Sequence, residues 1–84
     1  EALVHAAQVP LRSAQLAAGS LALAKAAAPL AGAAVASDIN CAMHLLKAAA
    51  QCAGENVRIN LLAIKDPAVA EELKVMLDKT LACA

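Results

Sequence analysis

The sequence predicts an all-α fold, an antiparallel bundle of three main helices near residues 2–28, 38–65 and 67–82, forming part of a larger helical assembly. Three observations predict it. Apolar residues recur at spacings of three and four, with no strand-like alternation. Helix stops and starts fall between the periodic runs, at Pro29, Ser37 and Asp66-Pro67. The chain is also 62% hydrophobic over 84 residues yet has no Phe, Tyr or Trp. Its core must come from Ala, Leu, Val and Ile, and alanine adds little buried area at roughly 25 cal/mol per Å². A chain this short hides only a modest fraction of its surface. The expectation is one unit over residues 1–84 that is a fragment, a subunit or half of a tight dimer, and that does not persist as a folded monomer.

The first helix opens at Glu1 and carries Leu3, Ala7, Leu11, Ala14, Ala18 and Leu21 as its apolar stripe. Pro10 lies inside it. Proline removes one backbone donor and clashes with the preceding turn. Because Leu11 resumes the stripe, one kinked helix is expected rather than two. The kink either follows a curved core or opens a backbone carbonyl. Ala28 precedes Pro29 and so marks the helix end. Leu30 to Ala36 then reads as a connection.

Ser37 is the expected N-cap of the central helix, with Asp38 in its first turn, either as a partner of the helix dipole or as a binding residue. Polar residues Asn40, His44, Lys47, Gln51, Glu55, Arg58 and Lys65 form one narrow stripe along 38–65. Ile39, Met43, Leu46, Val57, Leu61 and Ile64 are apolar, and so are Leu45, Ile59 and Leu62. So little polar surface predicts burial on most of the circumference. Asn56 and Asn60 lie one turn apart, away from the polar stripe, and are expected to be mostly buried. Buried amides need partners. The candidates are each other and nearby backbone, carbonyls exposed at Pro10, a second subunit, or a ligand. Gly54 is expected to permit close approach by another helix or by a ligand. Asp66 caps the last helix, with Pro67 at its first position. Val69, Leu73, Met76, Leu77 and Leu81 are its apolar stripe.

Seven acidic and seven basic residues give zero net charge. With no basic patch and no aromatic residue to stack on bases, nucleic-acid binding is disfavoured. Residues 14–36 are apolar, but the run is mostly alanine, holds Lys25, and is interrupted by Gly32 and Pro29, so a membrane span is disfavoured too. Cys41, Cys52 and Cys83 form no motif and are expected as buried, reduced thiols. They point to a reducing compartment, cytoplasmic or an organellar matrix. His44 and His5 have no Cys, Asp or Glu at metal-site spacing, so no metal ligand set is expected.

Three segments carry a resemblance: VPLRSAQLAAGSLALA at 9–24, the Ser37-Asp38 pair followed by a helix, and ENVRINLLAIKD at 55–66. In this order and spacing the chain resembles the C-terminal half of the cyclodeaminase domain family. That family includes formimidoyltetrahydrofolate cyclodeaminase and methenyltetrahydrofolate cyclohydrolase. The resemblance implies an all-helical fold assembling as a dimer, and a tetrahydrofolate derivative as substrate with no further cofactor. It implies either closure of a formimino group to the methenyl bridge with loss of ammonia, or hydrolysis of that bridge. Such families carry a Gly-rich helix start and an acidic catalytic residue in the half that precedes this segment. Neither occurs in these 84 residues, and Ala31-Gly32-Ala33 stands where Gly-Asn is usual. No catalytic residue is therefore assigned. Substrate-binding candidates are Asn56, Asn60, Asp38 and Arg58, the last as a partner for a carboxylate of the pteroylglutamate tail. The alternative is a non-catalytic helical subunit that keeps the fold.

Overall fold

The computed structural model describes residues 2–84, so the expected helix start at Glu1 lies outside the described residues. Helix α1 spans Ala2–Ala27 and is followed by one 3-10 turn, Ala28–Leu30; α2 spans Ala33–Leu61 and α3 spans Pro67–Ala82. Among the described residues there is no strand. The all-α expectation holds.

Alanine and leucine favour the helix throughout α1, and the helix runs unbroken through Pro10. Its buried residues are Ala7, Leu11, Ala14, Ala18 and Leu21, the predicted stripe without Leu3. Pro10 has no N–H to offer the carbonyl of Ala6, four residues back. That carbonyl instead accepts from Asn60 Nδ2 of α2 at 3.1 Å. The same nitrogen donates to the Asn56 carbonyl at 2.9 Å. Of the partners weighed for Asn60, the backbone carbonyl at the Pro10 site is the one in place.

α2 begins five residues earlier than expected. Ala31 and Gly32 are extended, and Gly32 is the N-cap without a side-chain bond. Ala33, Ala34, Val35 and Ala36 then enter the helix directly. Alanine has the highest helix propensity, so propagation absorbs Ser37 and Asp38. Ser37 is therefore not a cap, and Asp38 lies beyond the first turn. At the other end α2 stops at Leu61, short of the expected Lys65. Asp66 precedes a proline and caps α3, both of which require extended geometry. It has φ −78° and ψ 109°, and its Oδ1 accepts from the amides of Ala68 at 2.9 Å and Val69 at 3.5 Å. Leaving the helix also lets Ile64 turn its side chain into the core.

α1 and α2 form an antiparallel hairpin with the most extensive contact in the chain. Small alanines at Ala7, Ala14, Ala18 and Ala50 bring the axes together. α3 packs on this hairpin, where Leu73 and Leu77 meet Ala7, Leu11, Ala14, Val57 and Ile64. Gly54 is buried against α3. A Cβ built there would lie 3.1 Å from Leu81 Cδ1. The expected close approach is thus by a helix of the same chain.

The chain is elongated, 51 × 15 × 14 Å, with a radius of gyration of 15.1 Å. A compact chain of this length would have about 12 Å. Three expectations fail for a related reason. α2 is not buried on most of its circumference: only Ala50, Gly54 and Val57 are, because α1, α3 and the short 3-10 turn are its neighbours among the described residues. Leu45, Ile59 and Leu62 face solvent. Asn56 is exposed and Asn60 only half-buried. Cys41, Cys52 and Cys83 are free, as expected, but exposed rather than buried.

Two outcomes follow from this packing. Asn60→Ala should lower stability by about 1 kcal/mol in urea titrations, the net worth of an ordinary hydrogen bond. Pro10→Ala restores the helix's own donor to the Ala6 carbonyl, so Asn60→Ala should be milder in that background. A double-mutant cycle with no coupling would refute the assignment. For Gly54→Ala, the gain in helix propensity of about 1 kcal/mol opposes a small shift of the Leu81 methyl, and unfolding midpoints should hardly move. Gly54→Val adds methyls that Leu81 and Leu77 cannot both avoid, and should cost about 1–3 kcal/mol.

Candidate functional site

The polar stripe of α2 becomes one wall of a groove. Lys47, Gln51, Glu55 and Arg58, at spacings of three and four, line it together with Ala48 and Cys52. Leu81 and Ala84, at the end of α3, form the other wall, and the hollow has a volume of about 630 Å³. Arg58 Nη1 donates to Glu55 Oε1 at 2.9 Å, an exposed pair one turn apart. The pair is open to water and adds little stability. It does fix the guanidinium over the groove while leaving most of its five donors for another acceptor. Lys25 reaches the same end of the groove from α1, its Nζ donating to the Ala84 carbonyl at 3.4 Å. Among the described residues Lys47 makes no ion pair or hydrogen bond to protein. The groove therefore carries two cations of α2, with Lys25 at its end, against one carboxylate already engaged by Arg58.

The four predicted binding residues do not form one site. Arg58 lies on the groove. Asn60 faces α1 and holds the Ala6 carbonyl. Asn56 is exposed, and its carbonyl serves Asn60. At 100° per residue, Arg58 lies about 160° around the helix from both Asn56 and Asn60. Asp38 shares the angular position of Asn56 but sits five turns, about 27 Å, along the axis. Asp66 has its carboxylate on two backbone amides as the α3 cap.

Sequence reasoning missed Lys47, Gln51 and Lys25 as site residues. The signal for Lys47 and Gln51 was present as the polar stripe itself, read as solvent-facing because the position of α3 is a tertiary fact. Lys25 carried no local signal, since only the fold brings it to residue 84. A second hollow, of about 480 Å³, lies between α1 and α3. His5, Gln8, Arg12 and Gln15 line one side and Glu72 and Met76 the other, so His5 has polar neighbours that its sequence position did not suggest. Among the described residues no three His, Cys, Asp or Glu side chains are grouped to hold a metal ion. No described helix is long and apolar enough to cross a membrane.

No curated protein and no solved structure matches the chain. The profile of one protein family does match, over residues 1–79, and it takes in all three segments on which the sequence resemblance rested. With nearly the whole chain covered, this protein belongs to the formiminotransferase-cyclodeaminase family.

Proposed function

We propose that the chain is the C-terminal portion of a folate-handling cyclodeaminase or cyclohydrolase domain, working within an oligomeric helical assembly. The observation that carries this reading is the family match over residues 1–79. In that setting the substrate is a formimino- or methenyl-tetrahydrofolate. The groove of Lys47, Gln51 and Arg58 takes the anionic glutamate tail, where the planar fork of Arg58 suits a carboxylate. Proton transfer to the formimino nitrogen needs a general acid or base within hydrogen-bond reach. Asp66 is committed to its cap, Glu55 to Arg58, and Asp38 lies about 30 Å along α2 from Arg58, so this chain's role in the reading is to bind and orient the substrate. Free thiols at Cys41, Cys52 and Cys83 suit a reducing compartment, the cytoplasm or an organellar matrix.

A second reading is a non-catalytic helical subunit. It draws support from Asn60, whose amide nitrogen already donates to two backbone carbonyls. One experiment separates the two. Calorimetric titration of the assembled protein with tetrahydrofolate polyglutamates should give saturable binding. Arg58→Ala and Lys47→Ala should each weaken it about tenfold, the worth of one charge-assisted hydrogen bond. Asn56→Leu should leave it unchanged. Absence of folate binding in the parent assembly would favour the structural subunit. Binding indifferent to both cation substitutions would remove the groove from the proposal.

A further inference from the structure

We propose that the hollow between α1 and α3 binds a free α-amino acid with a side-chain amide, its carboxylate on the Arg12 guanidinium and its ammonium group on the Glu72 carboxylate. The inference stands apart from the folate reading, whose ligand lies in the other groove, between α2 and the end of α3.

The long polar side chains of α1 are His5, Gln8, Arg12, Gln15 and Lys25. All but Lys25 line this hollow. At 100° per residue, His5, Gln8, Arg12 and Gln15 fall within an arc of about 80° and extend over about 15 Å of helix. On a helix built mainly of alanine and leucine they form a single stripe, on the shoulder of the core face. Leu11 and Leu73, both buried, close the floor where α1 meets α3. Glu72 and Met76, one turn apart, make the α3 wall. The hollow measures about 480 Å³, within the range of small-molecule sites.

Its opposite charges face one another without pairing. Among the described residues, neither the Arg12 nor the Glu72 side chain makes an ion pair or a hydrogen bond. Exposed charges do pair elsewhere on the chain, Arg58 with Glu55 at 2.9 Å and Lys74 with Asp78 at 3.3 Å, each time within one helix. Arg12 and Glu72 stand on different helices, with the hollow between them. An exposed pair contributes little stability, so a ligand that holds these two apart displaces little.

These groups select a dipolar ligand. A simple anion would gain Arg12 but also meet Glu72, and a simple cation the reverse. A molecule with a carboxylate and an ammonium group on one carbon satisfies both. The planar fork of Arg12 takes the carboxylate in two parallel bonds, and Glu72 accepts from the ammonium group. With His5 neutral, Arg12 and Glu72 are the only charged residues lining the hollow, so a charged side chain on the ligand would find no partner of its own. Gln8 and Gln15 each offer an amide donor group and a carbonyl acceptor. An apolar side chain would cover these amides without meeting them, whereas a side-chain amide presents the matching donor and acceptor. The methylenes of such a side chain lie against Val9 and Met76, which line the same hollow.

Saturation-transfer NMR of L-glutamine with the assembled protein, in the absence of folate, tests the proposal. Saturable binding is expected, with a dissociation constant of about 1 mM or tighter. Two analogues each remove one charge: 4-carbamoylbutanoate lacks the ammonium group and 4-aminobutanamide lacks the carboxylate. Each should bind at least about tenfold more weakly, because each leaves Arg12 or Glu72 without its partner. Arg12→Gln and Glu72→Gln should each weaken L-glutamine binding at least about tenfold as well. Both side chains are exposed and unbonded, so these variants should keep the parent melting temperature. The analogue comparison uses the parent protein and is independent of them. Failure to saturate at concentrations about ten times that dissociation constant overturns the proposal. So does equal binding by either analogue, and so does weakening confined to one of the two variants or absent from both. Since no folate is present and the groove of Lys47 and Arg58 is untouched, each of these failures leaves the folate reading to its own titration.

Discussion

The absent amide at Pro10 is the constraint to which much of this structure answers. Proline leaves the Ala6 carbonyl without its helical donor, a vacancy inside the first three turns of α1. Asn60 fills it from the last turn of α2, and in doing so pins the two ends of the hairpin in register. The Asn60 amide also bonds one turn back to the Asn56 carbonyl, so the side chain is held from its own helix before it reaches across. An alanine-lined interface needs such a pin. Alanines pack closely but interlock little, and a seam of Ala7, Ala14, Ala18 and Ala50 sets few limits on sliding.

What the hairpin lacks is cover. α3 supplies one further layer, and its side chains join a cluster drawn from Ala7, Leu11 and Ala14 of α1 and the later part of α2. Leu16, Leu23 and Leu45 remain in water. Isolated exposed leucines are ordinary, but a run at helical repeat on the face opposite the core is not. The elongated outline expresses the same fact: α1 and α2 each keep an apolar face that no other helix of the described residues covers.

The fold was legible in the sequence where a residue's effect is local. Asp66-Pro67 announces α3 because cap and first-turn chemistry are decided within four residues. The stripe from Ala7 to Leu21 was legible because periodicity reports the core face directly. Ser37 misled because a good cap competes with helix propagation, and the four residues Ala33-Ala34-Val35-Ala36 favour propagation. The burial of Asn56 and of the three cysteines misled because the apolar surface of α2 was taken to be covered within the chain. For the candidate site, the polar stripe and the moderately specific ENVRIN segment were visible. The wall formed by Leu81 and Ala84 was not, because it depends on where α3 comes to rest.

Gly54 suits that resting place. Without a Cβ at this position, Leu81 lies directly over the α2 backbone and brings the end of α3 beside Lys47 and Gln51. The groove is thus a product of the same packing that builds the core, and its chemistry follows from what the fold has already committed. Asp66 is held by two amides, Asn60 by two carbonyls, and Glu55 by Arg58. The groups left with bonding capacity on the groove are the Lys47 ammonium, the remaining guanidinium donors of Arg58 and the Gln51 amide. These favour an anionic, acceptor-rich group, and a carboxylate-bearing tail is a better occupant for this groove than a neutral ring.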